Sequence, residues 1–206
     1  MTEMDFKKTV RDGYNRIAGR YLAERHRDSQ DVRLLDEFME RLPAHANVLD
    51  AGCGAGIPVS LILSERFQAT GVDFSEVQIE LAKKNVPHAT FLCQDMTKMD
   101  FADETFDGIT SYYAIIHVPR EEHQHLLENF YRMLMPGGLA LLCLGAEHLV
   151  DDIDEAYLGT RMYWSHFDAA TYLQMLRDCG FSILWSGNVI DETCEGAGHL
   201  FVLAHK

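Results

Sequence analysis

Val48-Leu49-Asp50-Ala51-Gly52-Cys53-Gly54-Ala55-Gly56 is the stretch that decides the fold. An apolar run of strand length, Asn47–Ala51, ends in an acid and then in three glycines at alternate positions. Glycine lets the backbone turn tightly and approach a ligand closely, and a helix that follows presents free N–H groups. The helix is expected over Ile57–Phe67, with Pro58 near its first turn, where the missing proline N–H costs nothing. Asp50 stands just before the turn, where it either caps backbone N–H groups or meets a ligand.

On the carboxyl side the alternation of strand and helix continues. Strands are expected at Ala69–Asp73, Thr90–Gln94, Asp107–Tyr112 and Leu139–Leu144, the last continuously apolar, as for a strand buried on both faces. Ser75 with Gln78 three residues on has the pattern of a capping box, and helices are expected from Ser75, over 120–134 and over Asp168–Asp178. Met135-Pro136-Gly137-Gly138 reads as a turn that launches the fifth strand. Phe181–Trp185 and Leu200–Ala204 close the chain as two strands that should pair antiparallel across a loop holding Gly187, Asn188, Gly196 and Gly198. Five strand–helix repeats imply an α/β, doubly wound, mostly parallel sheet. The expected seven strands run in the order 3-2-1-4-5-7-6, with the last antiparallel. In such a sheet ligands bind beyond the carboxyl ends of the strands. Asp73 and Asp95 end the second and third strands and would stand there side by side.

Before the glycine turn, Phe6, Val10, Tyr14, Ile17 and Tyr21 recur at helical spacing, as do Val32, Leu35, Phe38, Met39 and Leu42 up to Pro43. One domain over 1–206 is expected, with 1–45 as an N-terminal helical cap and 46–206 as the core. Residues 1–45 carry nine acidic and nine basic side chains, so the net charge of −14 falls wholly on the remainder. A polyanion would be repelled by most of that surface, which argues against nucleic acid and anionic membrane. Cys53, Cys93, Cys143, Cys179 and Cys194 are odd in number and lack CxxC spacing, and Cys93 and Cys143 lie in apolar runs as small hydrophobes. A reducing, cytoplasmic compartment is expected. The first residues have no apolar core for a signal peptide, no stretch is long enough to span a membrane, and no metal-ligand spacing is present.

Taken in order, VLDAGCGAG, GVDFS, CQDM, FDGITSYYAIIHV and RMLMPGGLALL resemble the class I, Rossmann-like S-adenosylmethionine-dependent methyltransferases over roughly residues 10–206. The resemblance implies S-adenosylmethionine as cofactor. Asp50, Ala51, Gly52 and Gly54 would line its methionine portion, and Asp73 would take the ribose hydroxyls. Phe74 and Met96 would sandwich the adenine, Asp95 would accept from its amino group, and Tyr112 would line the same site. Tyr14 and Tyr21 resemble a tyrosine pair that closes over the cofactor. Methyl transfer is an in-line displacement on an activated carbon, so alignment and desolvation are the main demands.

Two aromatic segments could reach the methyl group, Ser111–His117 and Met162–Phe167. The second lies in a connection, 145–167, longer than a strand–helix link needs. Tyr113, Tyr163 and Trp164 are the expected acceptor contacts. His166 and His117 are the expected general bases, with His166 slightly preferred. The expected reaction is methyl transfer to an O, N or S nucleophile of a small-molecule acceptor. The alternatives are a non-catalytic S-adenosylmethionine-binding module and a nicotinamide-dependent oxidoreductase, whose GxGxxG fingerprint fits poorly here.

Overall fold

The apolar runs become strands, and the glycine turn sits at the middle of the sheet they form. A computed structural model describes residues 5–190 and 198–206. Cys194 and Gly196 therefore lie outside the described residues. The strands are β1 (Asn47–Ala51), β2 (Gln68–Asp73), β3 (Thr90–Cys93), β4 (Phe106–Ser111), β5 (Leu134–Gly145), β6 (Leu149–Tyr157), β7 (Thr160–His166), β8 (Ser182–Val189) and β9 (His199–His205). The helices are α1 (Phe6–Ala23), α2 (Leu34–Arg41), α3 (Val59–Ser64), α4 (Glu76–Asn85), α5 (His123–Met133) and α6 (Ala169–Asp178). Seven strands make one sheet, β3-β2-β1-β4-β5-β9-β8. The first five are parallel, and β9 runs antiparallel to both β5 and β8. This is the expected order and direction, since the two closing strands take the sixth and seventh places in the sheet.

The side-chain period of two splits the core into layers. Along β5, Ala140, Leu142 and Leu144 join Leu126, Leu127 and Phe130 of α5 and Tyr172 and Leu176 of α6. Leu139, Leu141 and Cys143 join Phe38, Met39 and Leu42 of the second helical segment and Val59 and Leu63 of α3. This corrects the reading of 1–45 as a cap in its entirety. Only α1 lies over the strand ends, while α2 is laid on the sheet, so close that a Cβ at Gly108 would stand 2.6 Å from the Phe38 ring. The reason is composition: Leu35 and Phe38 are fully buried, which an end cap would not require.

Two local expectations change. Cys93 is exposed, because β3 is the edge of the sheet and only its Phe91 turns inward. Met135–Gly138 is not a turn ahead of β5 but an irregular start within it, pairing Leu134 with Phe106 before the register shifts.

The segment 145–167, read as a long connection, is mostly an antiparallel β6–β7 hairpin turning at Leu158-Gly159, both at positive φ. It stands apart from the main sheet and packs on α1. Phe6 stacks on Tyr163 with ring centroids 4.2 Å apart, and Val10, Ile17, Met162 and Tyr163 are buried together. Gly13 permits this approach, since a Cβ there would lie 3.0 Å from both the Arg161 carbonyl oxygen and the Met162 methyl. Gly13→Leu is therefore expected to cost about 1–3 kcal/mol of stability by overpacking, read by urea unfolding. An unchanged midpoint would mean that α1 does not hold to the hairpin. No helix among the described residues is long and apolar enough to cross a membrane.

Candidate functional site

The glycine turn, the ends of β2 and β3, and α1 border a common cavity. Its walls include Tyr14, Tyr21, Gly52, Gly54, Asp73, Phe74, Asp95, Met96, Tyr112, Tyr113 and His117, all residues singled out from the sequence. The turn is shaped by contacts that only glycine satisfies. Gly52 has φ +82°, and a Cβ there would stand 2.1 Å from that of Ala114. Gly54 has φ +51° and faces open space, the nearest atom to a built Cβ being Gln78 Oε1 at 3.9 Å. A ligand can thus approach bare backbone at Gly54.

Asp73 braces this turn. Its Oδ2 accepts from the Gly54 N–H at 3.0 Å and its Oδ1 from the Ser75 N–H at 2.8 Å. Lost hydration pushes its pKa up to about 6, against the pull of those N–H bonds. Asp50 does a different job from capping the turn. It is buried at the end of β1 and accepts from the hydroxyls of Ser60 (2.5 Å) and Thr110 (3.2 Å). Burial raises it to about 6, the two hydroxyls lower it, and neighbouring Asp73 raises it again. Two carboxylates that resist ionisation side by side make a place where a cationic ligand is welcome.

At the end of β3, Asp95 Oδ1 accepts from the backbone N–H and hydroxyl of Thr97, both at 2.9 Å, and Oδ2 from Lys7 Nζ at 3.1 Å. Burial opposes its ionisation, but these donors outweigh it and hold the carboxyl below its usual range. Lys7 also donates to Glu122 at 2.6 Å, so the first turn of α1 is pinned to the rim. Asn15, further along α1, accepts from the Ser75 hydroxyl at 2.6 Å and donates to Glu76 at 3.0 Å.

Beyond Tyr14 a second chamber opens, lined by Tyr14, Tyr21, Tyr113, Ile116, Tyr157 and Trp164 with His117, Arg25, Glu24 and His199. Tyr14, Tyr21, Tyr113 and His117 are walls of both chambers. His117 is buried at their junction. Its Nδ1 lies 2.7 Å from the Tyr163 carbonyl oxygen, which can only accept, so the ring proton sits on Nδ1. Nε2 therefore offers a lone pair to the Tyr14 hydroxyl 2.9 Å away. Burial lowers the His117 pKa to about 4, despite the Tyr163 carbonyl, so the ring is neutral at physiological pH.

Four expected residues line neither of these two chambers, Asp50 among them, since it borders only the recess past the glycine turn. Ala51 is fully buried in the core, with its carbonyl accepting from the Ser111 hydroxyl at 2.8 Å. Tyr163 turns its ring onto Phe6 and its hydroxyl to Asp151 at 2.7 Å. His166, at the end of the hairpin, lies against Gly145 with Nδ1 2.7 Å from the Glu147 carbonyl, outside both linings. Conversely, the sequence reading gave no site role to Lys7, Val10, Arg25 or Gln78. Lys7 and Val10 share a helical stripe with Tyr14 and Tyr21, a signal already present in the spacing. Arg25 lines a recess past the glycine turn together with Asp50, Gly52 and Gly54, and is held by Asp31 at 3.1 Å. Among the described residues, no group of three or more His, Cys, Asp or Glu side chains could hold a metal ion.

The chain is similar to methyltransferases in sequence and in fold. Residues 48–138, from β1 to the start of β5, match the family model described as a methyltransferase domain. Methyltransferase GfsG of Streptomyces halstedii is 29% identical over 178 residues, covering 78% of this chain and 62% of that protein. Phosphoethanolamine N-methyltransferase 3 of Arabidopsis thaliana is 34% identical over 156 residues, 70% of this chain but 31% of that protein. The chain thus spans less than two thirds of either relative. The magnesium protoporphyrin IX methyltransferase (ChlM) of Synechocystis PCC 6803, solved with bound SAM, superposes with a TM-score of 0.74 at 19% identity, covering 100% of this chain and 99% of that one. With this fold, the glycine turn at the end of β1 and the carboxylates ending β2 and β3, the chain belongs to the class I S-adenosylmethionine-dependent methyltransferases.

Proposed function

We propose that the protein binds S-adenosylmethionine in the chamber between the glycine turn and α1, and methylates an O, N or S nucleophile of a small acceptor held in the adjoining aromatic chamber. The observation that carries this reading is the shared wall: Tyr14, Tyr21, Tyr113 and His117 border both spaces, so two ligands would meet there. When bound, the cofactor supplies an activated methyl group on a positively charged sulfur. The residues present fit it. Gly54 leaves backbone open to a ligand, Asp73 keeps lone pairs for ribose hydroxyls, and Phe74 and Met96 offer apolar faces to a flat base. Arg25 offers a guanidinium to a carboxylate in the recess past the turn. The tyrosine and tryptophan faces of the second chamber suit a flat or cationic acceptor.

For an acceptor that must lose a proton, the Tyr14–His117 pair is the relay. The Tyr14 oxygen accepts the acceptor's proton while its own passes to His117 Nε2, leaving an imidazolium whose Nδ1–H is held by the Tyr163 carbonyl. His166, absent from both linings, is not given this role.

The carboxylates supply the test. Asp50 and Asp73 are neutral below about pH 6 and charged above it, and a sulfonium favours the charged forms. Affinity for S-adenosylmethionine should therefore rise with pH through about 6 and level off above it, with a weaker rise for uncharged-sulfur S-adenosylhomocysteine. Calorimetry across that range checks this. Affinity that is flat or falls with pH, or no binding at all, would refute the reading.

A further inference from the structure

Gln78 is the residue that the described contacts leave unexplained. It is 1% exposed, and neither Nε2 nor Oε1 has a hydrogen-bond partner among the described residues. A buried amide in that state opposes folding, because both ends lost water without replacement. Its position in the sequence gives a second clue. In a capping box, the side chain three residues into the helix reaches back to the backbone N–H of the cap residue. Here half of that box forms: the Ser75 hydroxyl accepts from the Gln78 N–H at 3.2 Å. The other half is taken by Asp73, whose Oδ1 accepts the Ser75 N–H at 2.8 Å. The Gln78 carboxamide is thereby released from its local role, and it lines the cofactor chamber beside Gly54 and Asp73.

A carboxamide presents one donor and one acceptor side by side. The group that satisfies both is one that can itself accept and donate, and a hydroxyl does so. A carboxylate would leave Oε1 unmet, and an ammonium would leave Nε2 unmet. Asp73, in contrast, can only accept, so it takes a hydroxyl's proton but cannot serve the oxygen's lone pair.

We infer that Gln78 hydrogen-bonds a ribose hydroxyl of the cofactor, completing with Asp73 a donor-and-acceptor clamp that reads the sugar. The inference rests on the cofactor assignment made above. It has a signature that few binding residues share, because the same side chain that holds the ligand weakens the empty protein.

The test is Gln78→Met, which keeps length and removes both polar atoms. The variant should melt roughly 2–6 °C higher than the parent without ligand, yet bind S-adenosylhomocysteine about five- to tenfold more weakly by calorimetry. The parent should also discriminate against S-adenosylhomocysteine analogues lacking one ribose hydroxyl, and for one of these the variant should lose that discrimination. A higher melting temperature with unchanged affinity would overturn the inference, as would a lower melting temperature with equal losses for every analogue. If the parent protein itself fails to bind S-adenosylhomocysteine, the cofactor assignment falls and the inference falls with it. The first two outcomes leave that assignment intact.

Discussion

Turnover by a His117→Ala variant is expected to fall roughly 10²–10⁴-fold, with affinity for S-adenosylhomocysteine little changed, once an acceptor has been identified. The size is that of a lost proton-accepting group. The geometry behind it is the Nε2 lone pair 2.9 Å from the Tyr14 hydroxyl and the Nδ1–H fixed by a backbone carbonyl. Two further measurements separate chemistry from packing. Burial holds the His117 pKa near 4, so its lone pair is available far into the acid range. At saturating cofactor, turnover should therefore stay level as pH falls through 6, where a histidine of ordinary pKa would lose it. His166→Ala should turn over almost normally, since its ring is tied to Glu147 outside both chambers. A variant of His117 whose activity merely follows its folded fraction, or a large loss in His166→Ala, would contradict the relay.

Replacing Asp73 by alanine is expected to weaken S-adenosylhomocysteine binding by roughly 1.5–3 kcal/mol, the scale of charge-assisted hydrogen bonds. Two effects combine. On the proposed assignment the ribose would lose its acceptor, and the N–H groups of Gly54 and Ser75 lose theirs. Asp73→Asn distinguishes the two, because one amide oxygen still serves a backbone N–H while the charge is gone. Calorimetry on folded Asp73→Ala with unchanged affinity would remove this residue from the site.

What was legible in the sequence follows from how strongly each feature depends on local pattern. Strands such as Leu139–Leu144 are buried on both faces and announce themselves as unbroken apolar runs, and the acids that end β2 and β3 mark the ligand side of the sheet. The β6–β7 hairpin was not legible. Its first strand, Leu149–Tyr157, carries Asp151, Asp152, Asp154 and Glu155, poor strand formers on an exposed ribbon with two register shifts. Only the Gly159 turn and the run Thr160–His166 hinted at it. Reading that segment as a long connection hid the alternation that turns neighbours Tyr163 and Trp164 to different surroundings, so that Tyr163 stands apart from the chamber that Trp164 lines. His117 was a candidate from its segment alone, but its bond to Tyr14 joins residues 103 positions apart, and no local pattern contains that. Gln78 was read as half of a cap. That it is free of that duty depends on Asp73, a contact between segments.

Helix α1 has one more consequence, for the order of events. Its residue Tyr14 is a wall of the cofactor chamber and of the acceptor chamber alike, and Lys7 and Asn15 latch the same helix to the rim. Any opening of that helix to admit the cofactor would take one side of the neighbouring room with it, and the acceptor's place would be complete again only once the helix had returned. The order expected from that coupling is methyl donor first and its spent form last, which product-inhibition kinetics checks.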